Sequence, residues 1–380
     1  MSVEPKRAVF LHSPDIERYH YPPDCPFKTE RARMARQILL GMGLLTGPGR
    51  SEVAPEPAPR AVIEKFHTAR YLDAMIAATQ GHLDVEGFGM GFGQPESPVF
   101  RDMYDYAALA CGATLKGAAL VAEGKADVAF NPSGGYHHAG PETASGFCYI
   151  NDVGLACQVL AEQEKRVLFL DIDVHHGDGV QDFFYGRRDV MTMSFHESGE
   201  TLFPGTGFEN EIGTGAGRGY SVNVPLPVGT YDEAYLRAFD AVAVPLAGAF
   251  DPDVVVLEVG MDGLAGDPMA FLSLTNGAYA EVARRALDFG KPIVATGGGG
   301  YHPQNTARGW ARVWSVLAGG ESQDEMALGL GGVMLESTDW QAGLRDRELT
   351  PRSMQRKIVD PALDATIEKV RANVFAIHGL

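Results

Sequence analysis

Cysteine is scarce in this sequence, and the few cysteines present are not spaced as a structural framework. The 380 residues contain four of them, and no two form a C-x-x-C pair. Small secreted domains hold their folds together with dense disulfides, so that class of protein is excluded. Because the first residues also lack the pattern of a signal peptide, we expect a protein of the reducing cytoplasm.

Basic residues are also in short supply, since 32 lysines and arginines stand against 49 aspartates and glutamates, a net charge of −17. Binding of nucleic acid needs clustered basic side chains on the phosphates, so we expect no nucleic-acid partner. The same deficit disfavours an anionic membrane surface. Long apolar runs are absent as well. The longest, residues 234–250, is interrupted by Arg237 and Asp240, which predicts a buried helix and no membrane span.

Short apolar runs that alternate with longer helical patterns dominate the middle of the chain. Such runs, apolar at nearly every position, are typical of strands that helices cover on both faces. The predicted strands are residues 8–12, 127–131, 166–173, 190–196, 253–260 and 292–297, and the predicted helices are about 104–123, 152–164, 233–249 and 277–289. This alternation predicts an α/β protein with a parallel sheet and helices on both sides of it.

The remaining segments are predicted to be loops or additions to this core. Two stretches rich in glycine and proline, residues 46–59 and 87–98, are predicted loops. After residue 320 the strand signal fades, and residues 361–376 predict one more helix. We therefore expect a single domain, with residues 321–380 as a C-terminal helical extension packed on it.

The segment "LDIDVHHGDG", residues 170–179, carries the densest group of chemically active side chains. Asp171, Asp173 and His175 are spaced by two, so in a strand they lie on one side, and at its end they can converge. Buried carboxylates are costly unless they are paired or bind a metal, so this group predicts a cation site. The alternative is a helix N-terminus in which Asp178 and the glycines form a turn, but it leaves the other acidic residues unexplained.

Asp262 follows another apolar run, in "VVVLEVGMDGLAGDP". Sites of open α/β sheets form outside the carboxyl ends of strands, so Asp173, His175 and Asp262 could supply three ligands from two strand ends. Three protein ligands with an open position are the arrangement of catalytic zinc, and ferrous iron or cobalt also suits these ligands. Taken alone, Asp262 could instead be a loop residue that starts a turn with Gly263.

Two further strand ends carry a pair of histidines and a tyrosine. In "GGYHHAG", glycines allow a loop to aim both His137 and His138 inward, and a neutral histidine beside a carboxylate is the usual general base. The alternative is two exposed loop histidines. In "TGGGGYHPQ", the glycines turn Tyr301 into a cleft, where its hydroxyl could donate to an oxyanion. A phosphate-binding loop is the alternative there, but no G-K-[ST] follows.

Five motifs in this order resemble the arginase/deacetylase superfamily, specifically class I-type histone deacetylases and the bacterial acetoin-utilisation deacetylases. They are "GGYHHA", "GFCYINDV", "DIDVHHGDGV", "FPGTG" and "GGGGYHPQNTARGW", and the match runs across most of residues 8–320. The resemblance implies one deacetylase-like catalytic domain over residues 1–380, with a three-layer α/β/α fold and its active site at the C-terminal ends of the strands. It implies a zinc-dependent hydrolase that removes acetyl or other acyl groups from the side-chain amine of lysine in proteins.

The resemblance also assigns roles to individual residues. It implies a zinc site made of Asp173, His175 and Asp262. The implied catalytic residues are His137 with its partner Asp171, His138 with its partner Asp178, and Tyr301. The implied substrate-binding residues are Gly146, Phe147 and Phe203 in the walls of an acyl-lysine tunnel, Met269 at its rim, and Arg31 at an internal acetate exit. A structural potassium ion is implied at Asp171, Asp173, His175, Ser194 and Phe195. Which of the two histidines acts as the base stays open.

One position departs from the family pattern, and it bears on the substrate. Glu96, in "PESPVF", stands where the family usually has an aspartate that holds the substrate backbone. The substrate is therefore either an acetylated protein or a small acetylated amine such as an acetylpolyamine. Two rival interpretations are a ureohydrolase with two manganese ions and a non-catalytic acyl-lysine binder. Against them, the positions that the sequence offers look sufficient for one catalytic metal, and every matched catalytic position is retained. The oligomeric state stays open.

Overall fold

A computed structural model describes residues 6–320 and 340–380 of the chain. Its central strands are β1 (Ala8–Leu11), β2 (Arg50–Val53), β3 (Val128–Asn131), β4 (Val167–Asp171), β5 (Val190–Glu197), β6 (Ser221–Leu226), β7 (Val254–Glu258) and β8 (Ile293–Thr296). They form one eight-stranded sheet in the order β2-β1-β3-β8-β7-β4-β5-β6. Every neighbouring pair is parallel, as the sequence predicts.

All six predicted strands are present, and the two that the sequence pattern missed lie at the edges of the sheet. β2 falls inside the stretch 46–59 that was predicted to be a loop, so that prediction is wrong over Arg50–Val53. Its residues are partly or fully exposed, because an edge strand needs no continuous apolar run. β6 contains Pro225, which lacks an N–H to donate and which an edge strand tolerates.

Helices cover both faces of the sheet. They are α1 (Glu30–Gly41), α2 (Arg60–Ile63), α3 (Ala69–Thr79), α4 (Val85–Gly89), α5 (Met103–Ala122), α6 (Asp152–Ala161), α7 (Asp178–Phe184), α8 (Asp232–Phe250), α9 (Asn276–Asp288), α10 (Pro303–Leu317) and α11 (Ser353–Val374). α4 occupies the start of the second predicted loop, where the side chain of Asp84 caps its first turn by accepting from Gly87 N.

Alternation along the strands divides the core into two apolar layers. Val167 and Phe169 of β4 pack with residues of α5, α6 and α7, whereas Leu168 and Leu170 pack on the other face with α1, α8, α9, α10 and α11. Successive side chains of a strand point to opposite faces, so each buried strand contributes to both layers. The architecture is therefore the predicted three-layer α/β/α fold.

The C-terminal part of the chain packs on this core. α11 begins eight residues before the predicted helix 361–376, and Val359, Leu363, Val370 and Val374 on one side of it join the main apolar layer. A short antiparallel hairpin, β9 (Trp340–Ala342) with β10 (Arg345–Asp346), precedes it. Residues 321–339 of the predicted extension lie outside the described residues. None of the helices within the described ranges has the length and apolar character needed to cross a membrane.

Candidate active site

Asp173, His175 and Asp262 meet at the carboxyl edge of the sheet. Asp173 and His175 follow β4 and Asp262 follows β7, and these two strands are neighbours. His175 Nδ1 lies 3.2 Å from Asp173 Oδ1 and 3.0 Å from Asp262 Oδ2. All three side chains are buried, and their ligand atoms are close enough to share one ion.

Backbone groups fix the orientation of these side chains. His175 N donates to Asp173 Oδ1 at 2.9 Å, and Gly299 N donates to Asp173 Oδ2 at 2.6 Å. A Cβ atom on Gly260 would fall 1.8 Å from Asp173 Oδ2, and one on Gly299 would fall 1.8 Å from Asp262 Oδ2. Glycine is therefore required on both sides. Two carboxylates and one imidazole, held in a closed cradle with no lysine or arginine among them, fit a divalent metal ion of the zinc type.

The two histidines from the loop after β3 lie next to this centre. His137 Nδ1 is 2.9 Å from Asp171 Oδ2, and His138 Nδ1 is 2.7 Å from Asp178 Oδ1. Their Nε2 atoms face each other at 3.0 Å. Asn151 Nδ2 fixes the loop by donating to the carbonyl of His137. The structure thus brings together both histidine–aspartate pairs that the sequence analysis singled out.

The electrostatic surroundings of the two rings differ. Burial, reinforced by the positive charge on His137, lowers the pKa of His138 to about 4. Burial also opposes a charge on His137, but neighbouring carboxylates, those of Glu258 and Asp171 foremost, raise the pKa of His137 well above its ordinary value. At neutral pH, His138 is therefore an uncharged imidazole that can accept a proton.

Tyr301 follows the glycines after β8, and its ring lies 6.3 Å from the ring of His175. Burial raises the pKa of the Tyr301 hydroxyl well above 10, so it stays a neutral donor. Asp267 Oδ2 accepts from Tyr301 N at 2.7 Å, and the buried Arg31 donates to the carbonyl of Gly300 at 2.7 Å. Arg31 also lines a small internal cavity and stacks over Phe27, so α1 supports the turn that presents Tyr301.

Aromatic side chains flank the mouth of the site. Phe147, buried, has its ring 5.8 Å from that of Tyr301, and Phe203, 42% exposed, has its ring 5.0 Å from that of His138. A Cβ on Gly146 would lie 2.3 Å from the His138 ring, and the φ of Gly146, +55°, is in the left-handed region. Both the contact and the backbone conformation therefore favour glycine at this position.

The two predicted rim residues are exposed, and each is tied to a residue of the site through its backbone. The backbone carbonyl of Glu96 accepts from Phe147 N at 2.5 Å, and its side chain is exposed. Met269 is 36% exposed, and its N–H donates to Asp267 Oδ1 at 2.9 Å. Asp267 therefore connects the rim to the backbone of Tyr301.

The residues predicted to bind potassium come from β4, from the segment directly after it, and from the adjacent strand β5. The register of β4 and β5 places Asp171 opposite Ser194, and Phe195 follows Ser194 along β5. Ser194 Oγ is 2.8 Å from His196 Nδ1. Asp171 therefore belongs both to the predicted potassium site and to the pair with His137.

Two residues of the site escaped the sequence analysis. Asp267 holds Met269 and Tyr301, and burial, followed by the charge of Asp262, raises its pKa to about 7. Glu258, the last residue of β7, is fully buried 3.2 Å from His137 Nδ1. An acidic residue that ends an apolar run, as Asp171 ends "VLFLD", was the signal that could have found Glu258 in "VVVLE".

Buried carboxylates and imidazoles gathered at the carboxyl edge of a parallel sheet are typical of a metal-dependent enzyme. Residues 25–317 match the family model of the histone deacetylase domain, which is most of the chain. The chain therefore belongs to the histone deacetylase family of hydrolases, and its relatives place it on the class I-like side of that family.

Individual relatives agree with this assignment. The chain is 39% identical to histone deacetylase RPD3 of Saccharomyces cerevisiae over 309 residues, which is 80% of this chain and 70% of that protein. It is 40% identical to histone deacetylase 8 of Xenopus tropicalis over 291 residues, 76% of this chain and 78% of that protein. The crystal structure of an HDAC homologue from Aquifex aeolicus superposes with a TM-score of 0.82 at 30% identity, covering 96% of this chain and 100% of the other. A structure of an HDAC homologue complexed with SAHA gives a TM-score of 0.84 at 31% identity, with the same coverage.

Proposed function

We propose that this protein is a zinc-dependent lysine deacetylase that hydrolyses the amide of acetylated, or otherwise acylated, lysine side chains in proteins. The observation that carries the proposal is the position of Asp173, His175 and Asp262, which lie together beside an uncharged His138 and the hydroxyl-bearing ring of Tyr301. Family membership supports the same reaction.

Asp173, His175 and Asp262 would hold the zinc ion. When bound there, zinc supplies a Lewis acid that polarises the acetyl carbonyl and lowers the pKa of water toward neutrality. Ferrous iron and cobalt suit the same donors, which is why metal content has to accompany every assay. We also propose a structural potassium ion at Asp171, Asp173, His175, Ser194 and Phe195. The register of β4 and β5, which pairs Asp171 with Ser194, supports this position.

The protein's own side chains move the protons. His138 Nε2 takes a proton from the attacking water, whose oxygen bonds to the acetyl carbon. The Tyr301 hydroxyl donates to the oxygen that gains negative charge, a contribution of roughly 3 kcal/mol for one such donor. As the C–N bond breaks, His138 returns its proton to the lysine nitrogen, and acetate and the free amine result. His137, which is hydrogen-bonded to Asp171, contributes to the electrostatic potential at His138.

Phe147 and Phe203 would form the walls through which the lysine stem reaches the centre. Burial of its four methylenes is worth about 0.8 kcal/mol each, which favours a long apolar side chain over a compact substrate. We place the exit of acetate beside Arg31, which lines a small cavity. Glu96 lies near the rim with an exposed side chain, so we keep a small acetylated amine, such as an acetylpolyamine, as the second candidate substrate.

A substrate panel with defined metal content tests the proposal. Protein stripped with a chelator and reloaded with zinc is assayed on acetyl-, propionyl- and butyryl-lysine peptides and on acetylpolyamines. We expect turnover of the acetyl-lysine peptides that disappears with the chelator and in Asp262→Asn. Zinc-loaded protein that hydrolyses none of the lysine peptides would refute the assignment, and a preference for the polyamines would favour the second candidate.

A further inference from the structure

The peptide group between Gly300 and Tyr301 is held at both of its edges. Arg31 Nη1 donates to its carbonyl oxygen at 2.7 Å, and its N–H donates to Asp267 Oδ2, also at 2.7 Å. Both side chains are buried, Arg31 with 3% and Asp267 with 8% exposure. Hydrogen bonds to charged groups are among the stronger ones in proteins, so this peptide plane is fixed from two opposite sides.

The turn before Tyr301 depends on such contacts, because its own residues restrict it little. Gly298 and Gly300 have φ angles of +147° and +126°, which residues with a side chain rarely adopt. Glycine reaches several other backbone conformations as easily, so it permits this turn without selecting it. Contacts from other segments therefore set the direction in which Tyr301 leaves the turn, and Asp267 supplies the contact to the N–H of Tyr301 itself.

The second carboxylate oxygen of Asp267 joins the same turn to the rim. Oδ1 accepts from Met269 N at 2.9 Å within a local turn, whereas Tyr301 lies 34 residues further along the chain. A carboxylate has acceptor sites on both oxygens, so it can serve both N–H groups at once. One side chain thus holds the rim segment, residues 267–271, and the turn of Tyr301 together.

We propose that Asp267 is a positioning residue for the reaction, which holds the N–H of Tyr301 and thereby keeps the Tyr301 hydroxyl where it can donate to the substrate oxygen. This role rests on the proposed deacetylase function. A displacement of about 1 Å in a catalytic group can cost roughly a hundredfold in rate. Because Asp267 is not among the proposed zinc ligands or tunnel walls, its loss should lower kcat and leave KM and the zinc content nearly unchanged.

A double-mutant cycle separates this role from a general effect on the fold. Zinc-loaded wild type, Asp267→Ala, Tyr301→Phe and the double variant are assayed for kcat and KM on one acetyl-lysine peptide, and the zinc content of each is measured. Asp267→Ala should lower kcat by about tenfold or more, up to the roughly hundredfold that loss of the hydroxyl causes. In the Tyr301→Phe background the same substitution should cost less than about twofold, because no hydroxyl is left to position.

Glu197→Ala is the matched control. Glu197 is a buried carboxylate too, and its Oε2 accepts from Phe271 N at 2.8 Å, at the other end of the rim segment. Its Oε1 accepts from Thr201 Oγ1 at 3.2 Å and not from the turn of Tyr301. Loosening the rim segment at this end should therefore change kcat by the same factor with and without the Tyr301 hydroxyl.

Asp267→Ser is a second variant, which decides the question if Asp267→Ala fails to fold. Serine can keep the local bond to Met269 N, as it does in such turns, but it has no second oxygen for Tyr301 N. It should show the same dependence on the Tyr301 hydroxyl as Asp267→Ala. Hydrogen exchange at the amide of Tyr301 gives a measure that needs no activity, and exchange should be faster in both variants than in wild type.

A loss of kcat as large in the Tyr301→Phe background as in wild type would overturn the role of Asp267. Unchanged kcat, or unchanged exchange at the Tyr301 amide, would overturn it as well. If zinc-loaded wild type hydrolyses no acetyl-lysine peptide, the proposed function and this role fail together. An active wild type whose cycle is additive fails the role alone and leaves the proposed function standing.

Discussion

Gly299→Ala isolates the role of the glycine cradle around the proposed zinc ligands. A Cβ at this position would lie 1.8 Å from Asp262 Oδ2 and 3.0 Å from Asp173 Oδ2. Carbon and oxygen attract only beyond about 3 Å, so the first pair must separate by more than about 1 Å. Because Gly299 does not have a positive φ, the effect of the substitution comes from this contact and not from backbone strain.

The displacement acts on metal ligands rather than on the apolar core. Gly299 N also donates to Asp173 Oδ2, so a shift of the loop disturbs both carboxylates together. Disturbing groups that orient ligands typically weakens metal binding about 10- to 100-fold, or about 1.4 to 2.8 kcal/mol. We expect a loss at the upper end of that range, measured as zinc affinity by competition with a chromogenic chelator, together with a proportional loss of deacetylation at limiting zinc.

Gly248→Ala is the matched control. This glycine lies within α8, where a Cβ would meet nothing within 4 Å. Alanine there should leave zinc affinity unchanged and stabilise the fold by up to about 1 kcal/mol, since glycine is the poorer helix former. If Gly299→Ala bound zinc as tightly as wild type, the claim that position 299 must be glycine to leave room for the zinc ligands would be wrong. The assignment of Asp262 as a ligand would then be contradicted as well.

Three further outcomes follow from the contacts described. Tyr301→Phe should keep its zinc content and lose about a hundredfold in kcat; near-normal turnover would remove the hydroxyl from the mechanism. Phe147→Ala should raise KM for acetyl-lysine peptides roughly tenfold, the equivalent of about two buried methylenes, and an unchanged KM would argue against a tunnel wall. Burial lowers the pKa of His67 to about 3, so stability should fall as pH drops below 6.5. The free energy of unfolding, measured by urea titration between pH 6 and 4, should therefore depend on pH less steeply in His67→Gln than in wild type, by the slope of one proton, about 1.4 kcal/mol per pH unit. An equal slope in the two proteins would contradict a neutral buried His67 ring.

The sequence predicts the centre of this fold better than its edges, for a physical reason. Strands covered on both faces must be apolar at nearly every position, which makes β4 and β7 conspicuous. Edge strands are under no such constraint: β2 reads "RSEV", and β6 carries Pro225, so neither shows a buried pattern. The helices α5, α6, α8 and α9 were found because each presents a long run of helical pattern between two strands.

The candidate site was predictable as far as its residues follow strand ends. Asp173, His175 and Asp262 stand after apolar runs, where polar groups are unexpected and therefore visible. Glu258 is the last residue of such a run and was read as part of the strand, although its side chain faces His137. Asp267 was invisible for another reason: besides its local bond to Met269 N, it accepts from the backbone N–H of the distant Tyr301, and no spacing rule announces a contact that only the tertiary fold creates.

The loops that form the site come from strands far apart in the sequence, since β3 ends at Asn131 and β8 at Thr296. No single loop holds a complete set of groups, and β8 must enter the sheet between β3 and β7 before Tyr301 reaches the others. Contacts of such long sequence separation form late in folding. The three proposed metal ligands, however, follow β4 and β7 only. Capture of a metal ion by this chain would therefore report the joining of those two strands: a chain in which they are still apart, however rich in secondary structure, would hold no ion there.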